Sequence, residues 1–502
     1  LRKRVTFEEI SPSEFFYRNR DLAGFTNPAR ALYSSVRELV ENSLDACDLA
    51  EVHPKIYVRL MTANGKEVSD KPQEFAITVK DNGMGIEGDR IPLALGKVFF
   101  GSKFKLRQTR GMFGMGGTMS ILYGQITTHR PVRIISSTDG KTLHDYELLI
   151  DIEKNKPIIL KHEKRDAGGW RGTSITLHLY GDYFRSSGKI MEYFKKTALV
   201  TPYADIVYFD PYGRLLTFKR GTDEMPEPPK EVDPHPKGID VEGLRRMIRV
   251  WEDGDMLKFF CRNFHRVGRK IALNFLNYAK IDPNRDPRTL SNEEIVRLAS
   301  ALRSYDGFLP PDAKCLSPLG ERILTAGIIK ELDPEFYTVS IRGPSAYGGY
   351  PFIVEIGLAY GGKVERKLKL FRFANRIPLL YDEGSDVSWK VLNEGIDWKH
   401  YKLSPDLPLT IITHICSTKI PYKTVGKEYI ADRPEIEREI RNGIKEVLRK
   451  LSSYLSRKGI VEAARRKQNI YARYLPLISK FATELAERRK RPDITRLVGE
   501  RP

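Results

Sequence analysis

The sequence predicts an α+β protein: an α/β sandwich, a helical insertion, a second α/β domain and a long C-terminal helix. Three observations predict it. Residues 37–46 (Arg-Glu-Leu-Val-Glu-Asn-Ser-Leu-Asp-Ala) have helical spacing and carry acids and an amide on one stripe. Alternating apolar residues at Phe75, Ile77, Val79 and at Ile175, Leu177, Leu179 read as strands, with a glycine loop and a helix between them. From Ile436 onward, apolar residues recur at helical spacing with Arg and Lys between them. The 502-residue length allows several domains.

In the first helix, Asn27 is a candidate cap and Pro28 a first-turn residue. Leu32, Val36, Leu39, Val40 and Leu44 supply apolar surface alongside Glu38, Asn42 and Asp45. Those three share a face because residues three and four apart on a helix point the same way. A carboxylate beside an amide suits the positioning of a water and a magnesium ion, which prefers oxygen ligands and is shared with substrate phosphates. Alone, the stripe is also the pattern of a solvated helix face.

Asp81-Asn82-Gly83-Met84-Gly85-Ile86 follows the first of the two strands. A strand-end carboxylate can accept from an exocyclic amine, and the two glycines let backbone approach a flat ring. Asp-Asn-Gly is also a common turn. Gly111-Met112-Phe113-Gly114-Met115-Gly116-Gly117, followed by Thr118, reads as a glycine loop feeding a helix. Free N–H groups at such a helix start suit a phosphate chain. Ser102, Lys103, Arg107 and Arg110 make the stretch before it basic and polar. Arg171-Gly172-Thr173 opens the second strand, and a Thr hydroxyl there can meet an adenine edge directly or through water. No Gly-x-x-x-x-Gly-Lys-Ser/Thr occurs, which sets this apart from a P-loop.

A net charge of +19 fits a polyanionic partner, DNA as readily as RNA or a membrane surface. No apolar run is long enough to span a bilayer, and no signal-peptide pattern opens the chain. Cys47, Cys261, Cys315 and Cys416 lack metal-ligand spacing, which predicts isolated reduced thiols in a cytosolic protein. The prolines between Met225 and Lys237 read as a linker. Residues 239–305 look helical, with Ser291 and Glu294 as a capping box. Residues 352–357 and 409–415 look like buried strands. Ile436, Ile440, Ile444, Val447, Leu451 and Leu455 mark a stalk helix, and Ile470, Tyr474, Ile478, Phe481 and Leu485 mark a later one.

The order of motifs (helix acid and amide, strand-end Asp-x-Gly-x-Gly, glycine loop, Gly-Thr strand) resembles the Bergerat fold. That is the ATPase domain shared by gyrase, chaperones of the heat-shock-ninety class, histidine kinases and MutL. With the insertion and the basic stalk added, the chain resembles the family of archaeal type IIB DNA topoisomerase VI B subunits over essentially its whole length. Ala29-Arg30-Ala31-Leu32-Tyr33, Arg110-Gly111-Met112 and residues 416–427 carry that resemblance most specifically.

The resemblance implies an N-terminal arm (1–20), an ATPase domain (21–224), the proline-rich linker (225–238) and a helix–two-turns–helix domain (239–306). A transducer (307–430) and a stalk with an A-subunit-binding end (431–502) would follow. The implied cofactors are ATP and Mg2+. Glu38 would be the general base, Asn42 would hold magnesium, Asp81 would recognise adenine, and Thr173 would support that contact. Ser102 and Lys103 would come from the lid. Gly111, Met112, Phe113, Gly114, Met115, Gly116, Gly117 and Thr118 would wrap the phosphates, and Lys427 would reach the γ-phosphate from the transducer. Thr118 stands where some relatives carry a lysine, so its contact would be a backbone N–H. Arg266, Arg269 and Lys270, with Trp398, Lys399 and Tyr401, are candidate DNA contacts, although a Trp/Tyr pair can equally anchor a helix.

The implied function is ATP-driven homodimerisation that gates passage of double-stranded DNA, relaxing supercoils and decatenating. A separate A subunit would make the break, in an A2B2 assembly beside chromosomal DNA in the cytoplasm, with no membrane partner. The arm around Phe15, Phe16 and Tyr17 is a candidate for exchange between copies. A MutL-like or chaperone-like ATPase clamp is the alternative, and the MutL type would lack the helical insertion.

Overall fold

The computed structural model describes residues 10–490 other than 64, 66, 101–105, 112–114, 405, 424–425 and 488–489, together with 494. Ser102, Lys103, Met112, Phe113 and Gly114 therefore lie outside the described residues.

The first body contains α1 (Pro12–Arg18), α2 (Pro28–Leu49), β1 (Lys55–Thr62), β2 (Gln73–Lys80), α3 (Ile91–Gly96) and α4 (Gly116–Thr128). It continues with β3 (Val132–Ser137), β4 (Thr142–Asp151), β5 (Lys156–Asp166), β6 (Gly172–Gly181), α5 (Tyr183–Val200), β7 (Asp205–Phe209) and β8 (Leu215–Phe218). The eight strands run in the order β5-β4-β3-β6-β2-β1-β7-β8, with only β1 and β7 parallel. Asn27 caps α2 by accepting the Arg30 N–H at 2.9 Å, and Pro28 supplies the first turn. The helix packs on β6 between α4 and α5, with Leu32, Val36, Leu39, Val40 and Leu44 in the core. Its polar stripe is not solvated: Glu38 and Asp45 are 7% and 8% exposed. The side chains of Phe75, Ile77 and Val79 on β2 and of Ile175, Leu177 and Leu179 on β6 are buried, as alternation requires of a sheet with one face covered.

The second body packs α6 (Val241–Arg249), α7 (Met256–Asn263), α8 (Arg269–Ala279) and α9 (Asn292–Ser304) around Phe259, Phe260, Phe275 and Leu302. Ser291 and Glu294 form the reciprocal capping box at the start of α9. The proline-rich stretch leading into it is pinned down: the Lys230 N–H donates to the Cys315 carbonyl at 3.1 Å and that of Val232 to Leu106 at 3.0 Å.

The third body contains α10 (Gly320–Leu332), β9 (Phe336–Ile341), β10 (Ser345–Tyr347), β11 (Tyr350–Tyr360), β12 (Leu368–Ala374) and β13 (Ile377–Pro378). After these come α11 (Val387–Glu394), β14 (Leu409–Ser417) and α12 (Pro434–Leu485). The sheet runs β10-β11-β14-β12-β13, with β9 on β11. The later helix expected around Ile470 is not separate, because α12 is one helix of 52 residues. Nothing between Leu455 and Ile470 breaks it, since a single glycine, Gly459, is tolerated in a helix interior. Its first half buries Ile436, Ile440, Ile444, Val447 and Leu451 against the sheet. Ile470, Tyr474, Ile478, Phe481 and Leu485 on its second half are exposed. Among the described residues no helix is long and apolar enough to cross a membrane.

Candidate nucleotide site

The acid stripe, the glycine-led helix and the third body meet at one point. A Cβ on Gly116 would stand 1.7 Å from Glu38 Oε2, and one on Gly117 would stand 3.1 Å from Asn42 Nδ2. The start of α4 therefore lies directly on the two residues expected to act on water and metal, and at Gly116 any Cβ would overlap the Glu38 carboxylate. Among the described residues no side chain caps α4, so its first N–H groups are left for another acceptor, as an anion-binding helix start requires. The Thr118 hydroxyl is buried and donates back to the Met115 carbonyl at 2.9 Å, which leaves only the Thr118 backbone to face a ligand. Gly116→Ala is expected to displace Glu38 and to lower kcat for ATP about 10²-fold. Steady-state hydrolysis at the wild-type rate would refute that packing role.

Lys427 reaches the same point from the segment between β14 and α12. Its Nζ lies 3.2 Å from Glu38 Oε1 and 3.3 Å from Glu41 Oε2, with Lys427 itself 6% exposed. Arg37 completes the cluster, 2.8 Å from Glu38 and 3.4 Å from Glu41, and donates to the Gly426 carbonyl at 3.1 Å. Arg30 holds Glu428 at 2.7 Å. Burial pushes the Glu38 carboxyl up, but the Lys427 ammonium and the Arg37 guanidinium outweigh it and hold it down at about 2. Glu41 is raised, first by burial. Sequence reasoning assigned no role to Arg37 or Glu41, although both lie inside the acid-helix motif. A local window does not separate them from a solvated i,i+4 pair.

Asp81 sits just past β2, 4% exposed, where its Oδ1 accepts the N–H groups of Gly83 at 2.9 Å and Thr173 at 3.1 Å. Burial raises its carboxyl against those two bonds. The Thr173 hydroxyl pairs with Ser136 Oγ at 3.1 Å. A Cβ on Gly83 would stand 2.7 Å from the Ala46 carbonyl carbon of α2, so the Asp-x-Gly turn is pressed against the acid helix. Gly111 opens the glycine loop, and Met115 stands immediately before α4. Asn42 is half-buried beside the α4 start. One amide oxygen with a nearby carboxylate is no all-protein cage, and such a donor set fits magnesium held mostly by substrate phosphates and water.

Asp45 faces elsewhere. It accepts from Arg110 Nη1 at 3.1 Å, and Arg110, from the basic stretch before the glycine loop, is 3% exposed with a second bond to Asp48 at 2.6 Å. Cys416 is a free thiol, as are the other three cysteines, but it is not isolated: its sulfur lies within 4.8 Å of ligand atoms of His414 and Glu355. Those atoms are already engaged. Glu355 takes His414 Nδ1 at 2.7 Å and the Leu319 and Gly320 N–H groups at 3.0 and 2.7 Å.

Among the expected DNA contacts, Arg269 and Lys270 are exposed at the start of α8, while Arg266 donates to the Pro310 carbonyl at 2.7 Å. Tyr401 is buried in the core of the third body, with Trp398 packed half-buried against that core and Lys399 left exposed, the packing of the helix-anchoring alternative. The ring gains more from apolar burial than from solvent. In the arm, Phe16 is buried and Phe15 and Tyr17 are exposed.

A sheet backed by an acid-and-amide helix, with an Asp just past the interior strand β2 and a glycine-started helix packed on β6, defines an ATPase of the histidine kinase-, DNA gyrase B- and HSP90-like type. The model of that family matches residues 27–179. The topoisomerase VI B subunit transducer model matches residues 311–467. The B subunit of type 2 DNA topoisomerase 6 from Metallosphaera sedula is 42% identical over 480 residues, 94% of this chain and 89% of the relative. That of Sulfurisphaera tokodaii is 44% identical over 481 residues, again 94% and 89%, and that of Saccharolobus shibatae 42% identical over 492 residues, 96% and 92%. The chain belongs to the topoisomerase VI B-subunit family.

Proposed function

We propose that this chain is the ATP-binding and ATP-hydrolysing subunit of a type II DNA topoisomerase, in which nucleotide state sets the pose of the transducer. The observation that carries the reading is Lys427, a transducer residue buried on the Glu38 carboxylate of the ATPase helix. In this reading Glu38 orients and deprotonates the attacking water. Asp81 receives the adenine amine with Thr173 beside it, and the N–H groups from Gly111 to Thr118 hold the phosphates. Magnesium, held by Asn42, supplies charge neutralisation at the phosphate oxygens. Lys427 exchanges its two carboxylates for the γ-phosphate, and ATP drives the exchange only because it binds the two poses differently.

A separate A subunit makes the double-strand break, and two copies of this chain close on a DNA segment when ATP binds, in an A2B2 assembly. The exposed apolar half of α12 supports its use as the A-subunit contact. Arg269 and Lys270 meet DNA phosphates, with Arg266 fixing their loop.

Supercoiled plasmid incubated with this chain, the A subunit and ATP tests the reading. Relaxation is expected only when all three are present; relaxation without ATP, or none with all three, would overturn it. In the same preparation, replacing Arg269 and Lys270 with Ala should reduce the slope of log affinity against log salt by about 2. An unchanged slope would leave the helical insertion as packing alone.

A further inference from the structure

We propose that the Asn375–Arg376 turn of the transducer is a second coupling point to the ATPase domain, positioning residues 108–110, which lead into Gly111, independently of Lys427. β12 and β13 are joined by a two-residue loop in which Asn375 and Arg376 both have positive φ, 47° and 66°. Positive φ at both central residues is the requirement of a type I′ hairpin turn. Arginine seldom adopts it, and here it is held by two bonds to the sheet. The Arg376 N–H donates to His414 Nε2 at 2.9 Å, and the Asn375 N–H to the Ile415 carbonyl at 2.8 Å.

The turn aims both side chains at the ATPase domain. Arg376 Nη1 donates to Asp48 of α2 at 2.9 Å and to the Tyr203 hydroxyl at 3.2 Å. Asn375 Nδ2 donates to the Thr109 carbonyl at 3.1 Å. Asp48 also holds Arg110, the residue before the glycine loop. Gln108 closes the ring by exchanging bonds of 3.0 and 2.8 Å with the Ser317 backbone, whose carbonyl accepts Arg376 Nη2 at 2.8 Å. Residues 108–110 are thus gripped from the transducer side through Gln108, Arg110, Ser317, Asn375 and Arg376, which are buried, and through the half-buried Asp48 and Thr109, where charge pairs are screened less than on the surface. Residues 108–110 run directly into Gly111, and they are fastened to the transducer. Lys427 senses the γ-phosphate from beside Glu38 in the middle of α2, while Arg376, sharing Asp48 with Arg110 at the C-terminal end of α2, senses the position of residues 108–110.

The proposal rests on the topoisomerase reading above, and the measurement is plasmid relaxed per ATP hydrolysed, using the full chain with its A subunit. Arg376→Gln, and Gln108→Ala from the opposite side of the junction, should each lower that ratio about tenfold while KM for ATP moves less than about threefold. Arg376→Lys, which keeps a cation on Asp48, should fall between. An unchanged ratio in both variants overturns the proposal. So does a parallel loss of hydrolysis and relaxation with a lowered Tm in both, because the turn would then only hold the domains together. A wild-type chain that hydrolysed ATP without relaxing plasmid would overturn the topoisomerase reading itself, and this proposal with it.

Discussion

Glu38→Ala is expected to keep ATP-analogue binding and ATP-dependent dimerisation while losing turnover by about 10²- to 10⁴-fold, the range for removal of a general base. The geometry separates the two effects. In the proposed reading adenine recognition falls to Asp81 and Thr173 and phosphate binding to the N–H groups at the start of α4, none of which is a bond to the Glu38 carboxylate. Lys427 would retain Glu41 as a resting partner, so the transducer stays docked in the variant. Equilibrium binding of a non-hydrolysable analogue beside steady-state hydrolysis checks this. Hydrolysis at the wild-type rate would remove Glu38 from the mechanism.

Lys427→Ala is expected to have the next largest effect, and on two readouts. Removing the ammonium leaves Glu38 and Glu41 buried with Arg37 as their nearest cation, and breaking one side of a buried pair costs about 3–5 kcal/mol. The Glu38 carboxyl is depressed in the folded chain, so its contribution to stability is present above the ordinary glutamate range and is lost as pH falls through about 2. Without Lys427 the folded-state value rises, the stabilisation shrinks, and the acid limb of kcat/KM moves to higher pH. The second readout is shape. Small-angle scattering of the wild-type chain should change on addition of an ATP analogue, and the variant's profile should not. A variant whose scattering shifts normally, with an unmoved acid limb, would sink the switch role of Lys427.

Much of this was legible in the chain because local patterns specify it. The Asn27 cap with Pro28, the apolar stripe of α2, the alternation in β2 and β6, and the Ser291–Glu294 box each lie within a few residues, and each forms as its chemistry demands. Gly116 and Gly117 were legible as a helix start, but their reason became visible only when Glu38 and Asn42 were found where a Cβ would go. The partners of Arg110 and Tyr401 were not legible, for a shared reason. A basic residue beside a glycine loop, or an aromatic beside a lysine, has the same sequence signature whether it faces solvent or a buried partner. Asp48 and the core of the transducer, respectively, decide the matter.

Glu38, Asn42 and Asp45 show where that division falls. The sequence by itself determined that they share a helix face, that Asp81 ends a strand, and that the family is that of topoisomerase VI B subunits. The first two follow from periodicity and turn chemistry, which are short-range; the family comes from the resemblance of motifs in order along the chain. Only the tertiary structure decided which partner each acid receives: Lys427, 389 positions away, for Glu38, and the Arg110 cluster for Asp45. A buried charge must find a counter-charge, and which cation supplies it depends on how distant segments pack, information that no local window contains.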